Sequence, residues 1–295
     1  MSHYSAWGGD KSSMYLLTED DLKQMHEILL EMYQDMKASC DKYGIRLIAA
    51  GGTALGAIRH HGFIPWDDDM DLCMFREDYN LFSEMFDKEL GKKYYLLAPG
   101  RKEGANCFLP RVMKKKTTLL GMIDETAPYP HGIYIDINPI EYAPENNILF
   151  RMKGICADLI RFISYSVYWY QYKSKSLKSY MTNSKGAKYY KVRLMVGKLF
   201  SYKKAERWFE FYDKLVQGAK TEVVVIPSGA KKYAGERMQL QSVLPLKSVP
   251  FEDTEIYVVN DYDGFLKNLY GDYMKIPKPE NRENHLCLKL NFEKE

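Results

Sequence analysis

Apolar residues along this chain recur with two periods, and each stretch can be assigned by which one it follows. Leu22, Met25, Ile28, Leu29, Met32 and Met36 fall on one helical face. Thr18-Glu19-Asp20-Asp21 ahead of them reads as an N-cap with acidic first-turn residues, so a helix is predicted to about Lys42. Its methionine stripe is core packing rather than a cofactor box, and Cys40 near its end is a small buried apolar residue. Leu81, Phe82, Met85 and Phe86 predict a second helix over residues 79–90, ended by Gly91. Short apolar runs at 45–50, 94–98, 107–113, 132–137 and 223–226 predict strands, the fourth of them ended by Asn138-Pro139. A hairpin over 250–259 precedes a helix over 262–270 that Gly271 stops. Between Ile148 and Lys220 the pattern is loosely helical, with Phe150, Ile155, Leu159, Phe162, Ile163 and Val167 at helical spacing. This succession predicts an α/β fold, a small mixed twisted sheet with helices packed on it.

Composition changes the picture mainly through where the charge sits. At 295 residues with 46% apolar and 27% charged, the chain can bury a substantial core and is ordinary for a soluble protein. The net charge of +3 hides an asymmetry: residues 148–220 hold 16 Lys/Arg against four Asp/Glu, which leaves the remainder at about −9. The predicted organisation is a flexible tail over 1–15, a core over 16–147, a basic, aromatic helical insertion over 148–220, and a C-terminal part over 221–295 that completes the core. Five widely spaced cysteines, at 40, 73, 107, 156 and 287, contain no Cys-x-x-Cys pair and predict reduced thiols. The most apolar stretch, 159–170, is short and interrupted by Arg161, so neither secretion nor membrane spanning is expected. The expectation is a cytoplasmic protein, peripheral at the inner face of the membrane.

Candidate chemistry starts where the first short strand ends. Gly51-Gly52 lets the backbone approach a ligand closely, and Thr53 opens a helical stretch, 53–59, whose N-terminal amides and hydroxyl would meet an anion over the turn. Asp69-Met70-Asp71-Leu72 alternates acidic with apolar, so on a strand both carboxylates share a face about 7 Å apart at about 3.3 Å per residue. Hard divalent cations take carboxylate oxygens and keep positions open for phosphate, so the constellation points to phosphoryl or nucleotidyl transfer with Mg2+ or Mn2+. Taken alone, residues 65–71 read equally well as an acidic surface turn. Asp136, flanked by Ile135 and Ile137 in a predicted buried strand, shifts that balance, because a metal or base role accounts for a buried carboxylate better than accident does. Asp69, Asp71 and Asp136 are the candidate catalytic and metal-holding residues. Asp67 is a further ligand candidate, and Asp68, on the opposite side of an extended chain, is expected to face solvent. The loop 227–236 is placed to border the site.

The order strand, Gly-Gly-Thr, Asp-x-Asp and a later Ile-Asp-Ile resembles the nucleotidyltransferase superfamily, with a longer gap before Asp69 than in its simplest members. The longer gap is itself informative: residues 51–72, GGTALGAIRHHGFIPWDDDMDL, resemble the LicD family of phosphotransferases, related to the fukutin-type ribitol-phosphate transferases. Residues 111–118, 135–140 and 261–277 look like further LicD segments in the expected order, so the resemblance spans about 16–145 and 220–290. It implies a nucleotidyltransferase-like core and a metal-dependent enzyme that moves a phospho-alcohol, phosphocholine above others, from a CDP-linked donor. The implied acceptor is a sugar hydroxyl of a cell-surface glycan or glycolipid, in teichoic acid, capsule or lipopolysaccharide. On the donor side the resemblance implies Gly51, Gly52 and Thr53 at phosphate oxygens, with Arg59, Trp66 and Asp67 from the same block. It adds Arg111 and Lys114 as neutralising cations and His285 near the donor, although Lys114-Lys115-Lys116 also reads as a solvated turn and a single His is more often structural.

In-line attack on the phosphorus bearing the alcohol would release CMP, with Asp136 either completing the metal site or taking the acceptor's proton. A conventional nucleotidyltransferase would use the same residues, attack the other phosphorus and release pyrophosphate. A catalytically silent glycan-binding scaffold is the rival from another class. The basic segment 148–204, with Tyr168-Trp169-Tyr170 and Lys173, Lys175 and Lys178, suits an anionic membrane surface or a glycan acceptor, or simply caps the sheet and exposes lysines. No nucleic-acid-binding motif accompanies it.

Overall fold

The first helix begins at the residues the sequence singles out as its cap. In the computed structural model, which describes residues 9, 14–282 and 286–292, Thr18 caps α1 (Glu19–Asp41) through a reciprocal capping box with Asp21. The tail expectation for 1–15 falls almost wholly outside the described residues. Met25, Leu29, Met32, Met36 and Cys40 on α1 are buried in the core that fills one side of the sheet.

The sheet that α1 covers is mixed. Its strands are β1 (Ile48–Ala49), β2 (Asp71–Phe75), β3 (Tyr94–Leu97), β4 (Arg111–Lys114), β6 (Tyr134–Tyr142), β7 (Val223–Val225), β8 (Arg237–Gln239), β9 (Lys247–Phe251) and β10 (Thr254–Val258). They run in the order β3-β4-β6-β2-β1-β10-β9, with β7 pairing β6 beyond the end of β4 and β8 pairing β7. β2 with β6 and β1 with β10 are parallel, and the other neighbours are antiparallel. The α/β class and the mixed, helix-flanked sheet predicted from the sequence are what the structure has.

Two strand boundaries and one small sheet differ from the sequence expectation. β6 does not stop at Asn138-Pro139 but runs on to Tyr142. The Asp136 amide bonds the Met70 carbonyl on the β2 side and the Ile137 amide bonds the Pro110 carbonyl on the other, so alternation turns position 139 away from β2. It falls between the end of β4 and the start of β7, where the missing N–H of proline leaves no ladder position empty. The strand expected over 107–113 begins only at Arg111. A further two-stranded sheet, β5 (Thr118–Gly121) with β11 (Cys287–Asn291), was not legible, because each strand is short and its partner is remote in sequence.

Residues 147–216 are helical as expected: α4 (Asn147–Gln171), α5 (Lys175–Thr182), α6 (Ala187–Phe200) and α7 (Ala205–Val216). Asn146 starts α4 by accepting the Ile148 and Leu149 amides. The inner faces of these helices, with Val167, Tyr168, Phe209 and Tyr212, share one apolar cluster with Phe108, Met113 and Val225. The segment leaves from the end of β6 and returns at β7, which pairs back onto β6 at Tyr142↔Val224. α3 (Arg76–Glu89) adds the tie between sheet and helices. Its Arg76 donates to Glu141 of β6, which is 1% exposed, and stands 2.8 Å from Asp213 of α7.

Removing one member of a buried ion pair strands the other, at a cost of about 3 kcal/mol or more. Arg76→Met is expected to lose about that much stability in urea denaturation. The double variant Arg76→Met/Glu141→Leu should recover part of the loss, because only the partly exposed Asp213 is then left without its partner.

Candidate active site

The site is built where two parallel strands place two acids side by side. Asp71 opens β2 and lies in register with Asp136 of β6, so both carboxylates project from the same face, with adjacent strands about 4.8 Å apart. Asp69 lies two residues before Asp71, just ahead of the strand. On the far side of β6, Arg111 of β4 is in register with Asp136 and holds it with two hydrogen bonds, Nε to Oδ1 at 2.7 Å and Nη2 to Oδ2 at 3.4 Å. Burial alone would weaken the Arg111 charge, but the adjacent Asp136 outweighs it and holds the guanidinium well above its ordinary pKa. The same guanidinium lies over the Tyr134 ring at 4.2 Å.

The glycine turn serves these acids directly. α2 (Gly51–His60) begins on Ala50, whose amide donates to the Asp71 carbonyl, and Gly51 adopts φ +47°. A Cβ on Gly51 would stand 3.0 Å from Asp71 Oδ2, and one on Gly52 would stand 2.6 Å from Asp67 Oδ2. The close approach that the glycines permit is therefore taken by carboxylates of this chain. Thr53 is buried and its hydroxyl accepts the Asp71 amide at 2.9 Å, so it positions β2 rather than pointing into open space.

A cavity of about 600 Å3 opens over this floor. Asp69, Asp71, Arg111 and Asp136 line it from the sheet, together with Gly51. Its far wall comes from Asp158, Arg161, Tyr165 and Trp169 of α4 and Tyr189 and Arg193 of α6. Ser228, Gly229 and Glu236 border it from the loop that the sequence placed there, and Tyr270 from α10 (Tyr262–Tyr270). The Tyr270 hydroxyl is pushed far up, first by burial and then by the negative field of Asp71, Asp67, Asp69 and Glu236.

The other sequence candidates are placed elsewhere. Lys114 turns to α1, its Nζ 2.7 Å from Glu31, and does not line the cavity. Arg59 donates to the Tyr273 carbonyl at 2.7 Å, and its guanidinium and that of Arg282 lie 5.9 and 4.0 Å from the Trp66 ring centre. His285 lies outside the described residues. Asp68 does not face solvent: it is 8% exposed and lines a small pocket of about 80 Å3 with Leu119, Gly121 and Cys287. The β5 and β11 strands that cover it were not foreseen.

Sequence reasoning passed over Asn138, which lies on the Asp136 face two residues further along β6. Its amide is 3.5 Å from Asp71 Oδ1 and its carbonyl oxygen accepts the Ser228 hydroxyl at 2.7 Å. Reading Pro139 as a strand end concealed the alternation that would have found it.

Among the described residues, no group of three or more His, Cys, Asp or Glu is arranged to hold a metal ion by itself. The donor chemistry still suits a hard cation. Mg2+ is commonly bound by one or two carboxylates, with substrate phosphates and water completing the shell, and Asp69 and Asp71 line the cavity together. Both oxygens of Asp136 are engaged by Arg111.

Comparison with known proteins agrees with the resemblance carried by residues 51–72. Residues 44–100 match the family model described as LicD/FKTN/FKRP, nucleotidyltransferase domain. The chain is 26% identical over 269 residues to the lipopolysaccharide cholinephosphotransferase LicD of Haemophilus influenzae, covering 90% of this chain and 95% of that protein. An uncharacterized protein of Rickettsia typhi is 32% identical over 79 residues, 26% of this chain and 24% of that protein. One of Rickettsia prowazekii is 44% identical over 52 residues, 17% of this chain and 20% of that protein.

Glu236 offers a pH test of the cavity. It is 3% exposed, accepts the Lys231 amide at 2.9 Å, and burial raises its carboxyl above the usual glutamate range. A carboxyl raised by folding stabilises below its unfolded pKa, and that contribution is lost as pH rises through the folded value. Glu236→Gln should therefore raise the thermal midpoint at pH 7.5 by about 2 °C, and the advantage should shrink as the scan is repeated toward pH 4.

Proposed function

We propose that this relative of the LicD proteins is a phosphotransferase that moves phosphocholine from CDP-choline to a sugar hydroxyl of a cell-surface glycan, with Mg2+ or Mn2+ as its cofactor. The observation that carries the reading is the in-register pair Asp71 and Asp136, with Asp69 beside them on the floor of one cavity and Arg111 fixed at its edge. Phosphocholine as the transferred group is supported by the likeness, over nearly the whole chain, to a lipopolysaccharide cholinephosphotransferase.

In this proposal Asp69 and Asp71 hold the cation, which when bound supplies positive charge at the donor pyrophosphate. Arg111, kept in place by Asp136, presents its remaining N–H edge to a donor phosphate oxygen. The acceptor hydroxyl attacks the phosphorus bearing choline, a bond forms between them, and the bond to the CMP oxygen breaks in line. A carboxylate has about four lone-pair sites and Arg111 uses two, so Asp136 retains capacity to accept the attacking hydroxyl's hydrogen. Thr53 and Asn138 act as positioning residues, through the Asp71 amide and the Asp71 carboxylate.

The acceptor side is the outer part of the helical segment. Ile148, Leu149, Met152, Ile155 and Leu159 on α4 and Met195 and Leu199 on α6 are all more than half exposed. Lys191, Lys198, Lys203 and Lys204, also exposed, accompany the α6 residues. Among the described residues no helix is long and apolar enough to cross a membrane. Apolar side chains rimmed by lysine suit shallow contact with an anionic lipid surface, where a lipid-linked acceptor would be presented.

Wild type and Asp71→Ala assayed with CDP-choline, CDP-ribitol and CTP, with Mg2+ or EDTA, test the reaction. Metal-dependent CMP release is expected, reduced at least about a hundredfold in Asp71→Ala, since such charge stabilisation is worth several kcal/mol. Pyrophosphate from CTP would instead identify a conventional nucleotidyltransferase, and no product with no nucleotide binding would identify a silent scaffold. For the surface contact, wild type should float with phosphatidylglycerol vesicles at low salt. Met195→Glu/Leu199→Glu should float several-fold less while releasing CMP at the wild-type rate.

A further inference from the structure

The helical wall of the cavity carries two guanidiniums, and a buried nitrogen of one of them is left without an acceptor. Arg161 of α4 lies with its guanidinium 4.7 Å from the centre of the Phe108 ring. Its Nη1 is buried and has no hydrogen-bond partner among the described residues. Two acids share the cavity with it, Asp158 one turn earlier on α4 and Glu236, and Glu236 lies within reach of its field without hydrogen-bonding the Nη1 atom. A buried guanidinium nitrogen without an acceptor costs free energy that a chain ordinarily avoids, and here the atom belongs to a side chain lining a cavity large enough for a ligand.

Its neighbour is held differently. Arg193 of α6 stands over the rings of Phe162, Tyr189 and Trp169, at 4.1, 4.9 and 5.3 Å from their centres. It donates to the Phe162 carbonyl at 2.9 Å and from Nε to the Tyr189 hydroxyl at 2.7 Å. These contacts fix its direction but bring no compensating negative charge. The helical side of the cavity thus carries two guanidiniums with one carboxylate, Asp158, among them, while the sheet side carries three carboxylates with Arg111.

We propose that the helical wall is a second anion subsite, in which Arg161 bonds a phosphate or carboxylate oxygen of a substrate and Arg193 adds fixed positive charge beside it. This rests on the phosphotransfer reading above and adds a recognition element to it. Two sources carry that chemistry, the nucleotide-side phosphate of the donor and an acidic group on the glycan acceptor. A planar guanidinium suits either by paired N–H bonds.

The test titrates inorganic phosphate, CMP and CDP-choline against the full-length wild type, Arg161→Gln and Arg161→Lys, reading thermal midpoint and calorimetric Kd. Phosphate should stabilise wild type, stabilise Arg161→Gln much less, and recover part of its effect in Arg161→Lys. Without ligand, Arg161→Gln should unfold no lower than wild type, because the buried Nη1 that lacks an acceptor has been removed. A tenfold or greater loss of CMP and CDP-choline affinity in Arg161→Gln assigns the subsite to the donor. Unchanged donor affinity with a KM for glycan acceptor raised tenfold at constant kcat assigns it to the acceptor. If no phosphate, donor or acceptor constant depends on Arg161, the proposal is overturned, and the same holds if ligand-free Arg161→Gln loses several degrees with binding intact. Phosphate binding is read without turnover, so a wild type that binds phosphate at Arg161 but no cytidine nucleotide would retire the CDP-donor reading alone.

Discussion

Everything at the centre of this molecule follows from two carboxylates held in register on neighbouring parallel strands. Like charges at that separation repel, and the surroundings answer on both flanks. Arg111 grips Asp136 from β4, while Thr53 and Asn138 hold Asp71 from the start of α2 and from β6. The negative field of Asp71, together with Asp67, Asp69 and Glu236, adds to burial in raising the Tyr270 hydroxyl.

How much of this was legible in the sequence depends on the range over which each feature is determined. Local signals held: the Thr18 cap, the α1 stripe, the helix over 262–270 and the 223–226 strand are each fixed by neighbouring residues. Asp71 and Asp136 stood out because a carboxylate among apolar neighbours is anomalous at short range, while Asp69, which follows Asp67 and Asp68, was read from its spacing to Asp71. What could not be read was set by partners far away in the chain. Asp68 is buried by β5 and β11, Lys114 is drawn to Glu31 on α1, and Pro139 is tolerated inside β6 because two different strands leave a gap at that point.

The helical segment illustrates the same limit from the other side. Its composition announced basic and aromatic character, but its exposed face is basic and mainly aliphatic, whereas Tyr168 and Trp169, read from the sequence as part of that face, are buried. Composition could not show that Tyr165, Trp169 and Arg193 turn inward to complete the cavity, because that requires α4 and α6 to pack against each other over the sheet. The aromatic residues that looked like surface equipment are divided between an outer face and an inner wall. One segment thus meets the solvent side and the reacting side of the molecule at once.

The return of the chain from α7 to β7 has an evolutionary consequence. Because β7 pairs with the same strand that releases α4, the helical segment enters and leaves the sheet at adjacent points, Tyr142 and Val224. The loop so formed is closed by the sheet itself, and closure entropy grows only slowly with length, so added length on its outer side costs little, provided the apolar cluster and the Arg76–Asp213 tie are kept. Asp71 and Asp136 lie several residues upstream on β2 and β6 and would not register the change. Drift in this lineage can therefore reshape what the wall selects while the acids beneath it stay in place, which separates the inheritance of specificity from the inheritance of chemistry.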